Sequence, residues 1–141
     1  MIGKYIFATL SADSAITALV QASGGDIRIY PVIAPQNTIK PYITYRVTSI
    51  TPKDACKEAA ATDDAYMVDF HFFESPDKPN EAQENIEALH EAVRLNFDHV
   101  ANTAAGVTIK YAEFSGSSGD GIEATTFLFF RTSSYLFRVV R

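Results

Sequence analysis

Residues 26–45 read DIRIYPVIAPQNTIKPYITY, and the architecture turns on how this stretch is parsed. Ile27-Arg28-Ile29-Tyr30 alternates apolar and polar residues, which predicts a short strand. Pro31 stops it, because proline has no N–H to offer a sheet ladder. Ala34-Pro35-Gln36-Asn37 is a turn-rich link. Pro41 biases the residue before it toward extended backbone and feeds a second strand over residues 42–48, rich in β-branched and aromatic side chains. The rest of the chain reads as elements that cover, pair with or terminate these strands.

Outward toward the N-terminus, apolar residues at 2, 5, 6, 7 and 10 have helical spacing. Ser11 suits an N-cap for a continuation over residues 12–21, with Asp13 favourable in its first turn and Ser23-Gly24-Gly25 ending it. Outward in the other direction, residues 51–64 are polar, Ala-rich and mixed in charge, and are expected to form a long connection between antiparallel strands. Residues 66–73 alternate strictly, Tyr66, Val68, Phe70 and Phe72 against Met67, Asp69, His71 and Phe73, which predicts a strand with the first set in the core. Asn80 and Gln83 have capping-box spacing ahead of a helix to about residue 97, with an apolar stripe of Ala82, Ile86, Leu89, Val93 and Phe97.

Residues 100–106 read as a link and residues 107–114 as a strand, Val107, Ile109, Tyr111 and Glu113 alternating with Thr108, Lys110, Ala112 and Phe114. A Gly/Ser loop follows at 115–121. The apolar blocks 125–130 and 135–140 are two strand segments or one strand with a bulge. The block Thr126-Phe127-Leu128-Phe129-Phe130 is an aggregation hazard unless central in a sheet or covered. The expected class is α+β: a single two-layer domain over residues 1–141, with a mainly antiparallel or mixed sheet and two helices on one face. The other face is left to water or to a partner.

The 17 acidic against 12 basic residues, net −5, argue against a grip on nucleic acid, which needs Lys and Arg to neutralise phosphates. The single Cys56 excludes an intramolecular disulfide and fits a reducing compartment. No basic-then-apolar leader opens the sequence, and no apolar run nears the roughly 18 residues of a membrane span. His71, His90 and His99 lack i, i+4 spacing for a metal. Asp69 and His71 share a strand face as half of an acid–base pair, without a nucleophile to serve. The 116–121 loop lacks the Lys-Ser/Thr ending and the following helix of a phosphate cradle. Catalytic residues, a metal and a cofactor are therefore not expected.

One resemblance carries further. Ala12-Asp13-Ser14-Ala15-Ile16-Thr17-Ala18-Leu19-Val20, then Arg28-Ile29-Tyr30-Pro31, Ala34-Pro35-Gln36 and Pro41-Tyr42-Ile43-Thr44-Tyr45, in this order and spacing, resemble the tail-completion or tail-terminator proteins of long-tailed bacteriophages and prophages. Met67-Val68-Asp69-Phe70 and the 81–97 helix look like the same family's strand and second helix. The resemblance implies a structural protein of the virion, assembled in the host bacterial cytoplasm. It implies a ring, typically hexameric, that caps the head-proximal end of the tail tube, stops its polymerisation and offers a joining surface to the head connector. The implied partners are further copies of the chain, the tail tube protein and the head–tail connector protein, with no nucleic-acid sequence recognition and no membrane.

On this reading Arg28, Tyr30, Pro35 and Gln36 lie near a subunit contact. The 53–64 loop, with Lys53, Asp54, Lys57, Glu58, Asp63 and Asp64, meets tube or connector. The rival readings are a head-completion or minor tail protein of the same particle, and a small α+β enzyme or ligand-binding domain.

Overall fold

A computed structural model describes residues 2–21, 25–53 and 63–140, residue 53 through its backbone alone. The elements run α1 (Ile2–Ser11), α2 (Ser14–Val20), β1 (Ile29–Pro31), β2 (Tyr42–Lys53), β3 (Asp63–Glu74), α3 (Pro79–Phe97), β4 (Val100–Ala104), β5 (Val107–Ser117), β6 (Gly121–Ile122) and β7 (Phe129–Val140). One mixed sheet has the order β1-β2-β3-β7-β5-β4, with β6 added against β7. β1 runs parallel to β2, and the other pairs are antiparallel. All three helices pack on the same face, so the α+β class and the two layers hold. No described helix is long and apolar enough to cross a membrane.

The N-terminal helix breaks in two. The cap is Asp13, not Ser11: Asp13 is extended (φ −89°, ψ 117°) and its Oδ1 accepts the Ala15 N–H at 2.8 Å. Asp13 Oδ2 also accepts from Asn96 Nδ2 at 2.6 Å, which ties the break to α3. At α3 the expected Asn80 cap is replaced by Lys78 without a side-chain cap bond, since Pro79 sets φ at the first helical position. The predicted stripe of α3 is buried throughout, and His90 widens it.

β2 and β3 are longer than expected and pair as far as Lys53↔Asp63, so the connection narrows to residues 54–62, which lie outside the described residues. The expected link at 100–106 is the strand β4 and a two-residue turn. Ala105 and Gly106 both take positive φ (52° and 76°), and Ala104 faces Val107 across the turn. In β5 the register against β7 shifts between Ile109 and Tyr111. Beyond that bulge Ala112, which strict alternation sets on the face opposite Val107 and Ile109, joins them in the core.

The tail forms one strand, β7, paired without a register break to β3. It is central, and residues 123–128 turn into it; of the block expected to be central or covered, Leu128, Phe129 and Phe130 are at least half-buried, whereas Thr126 and Phe127 stay exposed in the turn. The core lies between sheet and helices, with Phe70, Phe97, Tyr135 and Phe137 in mutual aromatic contact. The sheet curls around this core. Lys4 and Phe7 of α1 share a groove with Ile29 and Pro31 of β1 and with Ala105 beyond β4.

Candidate assembly surface

The decisive stretch forms a raised loop on the rim of the uncovered sheet face. Its base is a clamp. Arg28 is 5% exposed, donates from Nε to the Pro41 carbonyl at 3.1 Å and from Nη2 to the Leu19 carbonyl at 3.0 Å. Its backbone N–H reaches Val20, and its carbonyl accepts from Ile43. One side chain thus joins the end of α2, the entry to β1 and the start of β2.

Above the clamp the backbone is strained. Val32 has φ 65°, and the Ile33 N–H returns to the Pro31 carbonyl at 2.7 Å, closing a three-residue turn around it. Positive φ is costly for a β-branched residue, and a turn of this hand is rare. The Val32 N–H is also bonded to the Tyr45 carbonyl at 2.8 Å. The result puts Val32 and Ile33 in solvent, 65% and 78% exposed. Residues 35–38 close a second turn, where the Thr38 N–H and hydroxyl both donate to the Pro35 carbonyl.

A second strained turn faces this loop. The Glu123 carboxylate accepts the amides of Thr125 (3.1 Å) and Thr126 (2.5 Å) and the Thr126 hydroxyl (2.5 Å). These bonds, led by the Thr126 hydroxyl, hold its pKa below the usual carboxylate value. Backbone bonds Phe127 N–H to Glu123 O and Glu123 N–H to Leu128 O close the turn. Phe127 is held at φ 57° with 67% of its surface exposed. Strain kept in place by so many bonds points to use of the displayed side chains.

Between the two turns lies a cleft of about 410 Å³. Val32, Ile33, Pro35 and Gln36 form one wall, Thr126 and Leu128 the other, and Tyr42, Thr44 and Phe73 the floor. Tyr42 stacks on Phe73 (5.0 Å between ring centres), and Phe73 on Phe130. On the far side of the same loop, Tyr30, Pro35 and Gln36 border a shallower depression of about 330 Å³ with Asp26 and Arg28. The stretch singled out from sequence therefore brings Tyr30, Pro35 and Gln36 to the surface together, whereas Arg28 works inside the subunit.

A profile of the family described as Tail completion protein gp17 matches residues 4–118. The chain belongs to this family. Tail-completion proteins are structural, and this one is a protein of the virion tail, whose partners are other proteins of the particle. No curated protein matches the sequence. Among solved structures, a chain from the virion of a native gene transfer agent particle superposes with a TM-score of 0.73 at 12% identity, covering 96% of this chain and 92% of that one. A second solved chain superposes with a TM-score of 0.50 at 11% identity, over the same shares of the two chains. At such identities the likeness is one of fold.

The remaining polar candidates of this tail-completion chain act as structural contacts. Asp69 accepts from Ser134 Oγ at 2.6 Å, while His71 Nδ1 meets Thr132 Oγ1 at 2.9 Å, so the two pair with different residues of β7. Buried His90 meets Ser133 Oγ at 2.8 Å between Phe72 and Phe114. Burial lowers the pKa of both His71 and His90. Among the described residues no cluster of His, Cys, Asp and Glu could hold a metal.

Asp120 of the glycine loop binds Arg131 (2.8 Å), which also pairs with Glu87 of α3 (2.6 Å). Of the 53–64 loop, Asp63 is buried against Arg138 at 2.6 Å, and Asp64 is half-buried on β3. The Lys53 side chain, Asp54, Cys56, Lys57 and Glu58 lie outside the described residues.

Proposed function

We propose that this tail-completion protein forms a ring, hexameric in its typical form, at the head-proximal end of the tail tube, where it ends tube growth and presents the joining surface for the head connector. The observation that carries this reading is the strained cleft. Two turns bear backbone cost to hold Val32, Ile33 and Phe127 in water, which is unfavourable for an isolated subunit and sensible for one that is buried in an assembly. The molecule also has unlike sides, a helical layer and an open sheet face, as a head-to-tail ring contact needs. Tyr30, Pro35 and Gln36 belong to the subunit contact on this reading. Lys53, Asp54, Lys57, Glu58 and Asp64 belong to the 53–64 segment that meets tube or connector on this reading, with Asp63 behind them, held by Arg138.

Light scattering on a sizing column, at several concentrations with and without tail tubes, tests it. A discrete ring-sized species, alone or on addition of tubes, supports the proposal, and a strict monomer in both conditions ends it. Reversing the hairpin charges should alter tail length or head joining; unchanged tails would remove the hairpin from the proposal.

A further inference from the structure

The exposed side chain with the least to do inside the subunit is Leu95. It is 81% exposed, more than any other large apolar side chain among the described residues. It sits near the end of α3, off the buried stripe, on a rigid 19-residue helix. Glu91 stands one turn before it on the same surface and makes no ion pair among the described residues. The cleft between the 32–40 loop and the 123–128 turn has the opposite character. Val32, Ile33, Pro35, Phe73 and Leu128 give its lining an apolar part among polar Gln36, Thr44 and Thr126, its volume of about 410 Å³ exceeds what a leucine side chain needs, and Lys40 is the single charged residue among those lining it.

Resting on the ring reading above, we propose that Leu95 of one subunit seats in this cleft of the next copy, with Glu91 beside Lys40. The knob projects from the helical layer and the cleft opens on the uncovered face of the sheet, so the two surfaces are different. A contact between unlike surfaces repeats in one sense around the assembly, and closes into a ring where the rotation allows. The pairing gives the Val32 strain a purpose, covers the exposed leucine, and matches one negative with one positive side chain. A leucine entering a partly apolar pocket beside a matched charge has the makeup of an interface anchor.

Two experiments test the contact, both on the full chain. In a Cys56→Ser background, Gln36→Cys and Leu95→Cys are combined and the assembled protein is mildly oxidised. A ladder of disulfide-linked multimers ending at ring size is expected, with none from either single cysteine. In the second, Leu95→Asp raises the concentration for half-assembly by about tenfold or more, the loss of an anchor worth one decade in affinity. Lys40→Glu shifts it in the same direction, and Glu91→Lys added to Lys40→Glu recovers part of it.

All three side chains are exposed, so urea midpoints should stay at the wild-type value. Wild-type rings without a cross-link ladder, together with unchanged assembly of Leu95→Asp, would overturn this contact and leave the ring standing. A wild-type chain that stays monomeric with tubes removes both.

Discussion

Replacing Arg28 by methionine separates a framework residue from a contact residue. The side chain is 5% exposed and donates to the Leu19 and Pro41 carbonyls at 3.0 and 3.1 Å. A hydrogen bond from a charged donor contributes about 1.5–3 kcal/mol, and methionine leaves both acceptors without this donor. Relief from burying a guanidinium offsets part of that loss. A net destabilisation of about 3 kcal/mol is expected, which for a domain of this size lowers Tm by roughly 10 °C. Arg28→Lys should fall between, because one ammonium cannot span both carbonyls as the fork does. Urea and thermal unfolding of the isolated chain measure both variants. An Arg28→Met protein within about 0.5 kcal/mol of wild type would refute the clamp. If it also failed to assemble, the guanidinium would belong to the subunit contact after all.

Stability should fall on mild acidification. Burial depresses the folded-state pKa of His71 and His90, so the unfolded chain takes up protons first. Their contribution is full above the ordinary histidine value, about 6.5, and is lost as pH drops from there toward the folded values. The urea midpoint should therefore be lower at pH 5.5 than at 7.5, and a His71→Gln, His90→Gln double variant should flatten that slope; an unchanged slope would exclude both rings as the cause. In a second test, Glu123→Ala removes the acceptor of the Thr125 and Thr126 amides, so those amides should exchange hydrogen faster while the core strands β3 and β7 keep their protection. Unchanged exchange at Thr125 and Thr126 would show that the turn holds Phe127 without this carboxylate.

Much of the fold was legible because its core elements obey a single period. The α3 stripe and the β3 alternation lie where the apolar residues put them. The misreadings have local causes. β4 escaped because it is an edge strand with Ala101, Asn102 and Thr103 all exposed, so it carries no alternation. The face assignment along β5 fails beyond Ile109, where one bulged residue reverses the side chains that follow. Arg28 was expected near a subunit contact, and its side chain bonds within the subunit. Its two acceptors come from the end of α2 and from a proline thirteen residues later, which sequence spacing alone does not bring together. His90 likewise meets its partner 43 residues away. The candidate surface was legible as a place, the turn-rich link at 34–37, but not as a cleft, since its other wall is the turn at 123–128.

On the ring reading, a subunit that ends tube growth must not itself pair without limit, and the sheet edges fit that requirement. β1 is three residues long and ends on Pro31, which cannot donate to an added strand. Beyond the residues it covers, β2 continues from Arg46 to Lys53 without a described strand on its outer side. That edge is interrupted by the register shift between Val47 and Ser49 and carries Pro52 near its end. At the opposite edge β4 has its own register shift between Val100 and Asn102. Each device disfavours flat strand addition, the route by which sheets join indefinitely. Association on the ring reading is thereby left to side chains on fixed turns and on a helix. Such contacts set an angle between neighbours, and a set angle is what lets an assembly close after a definite number of copies.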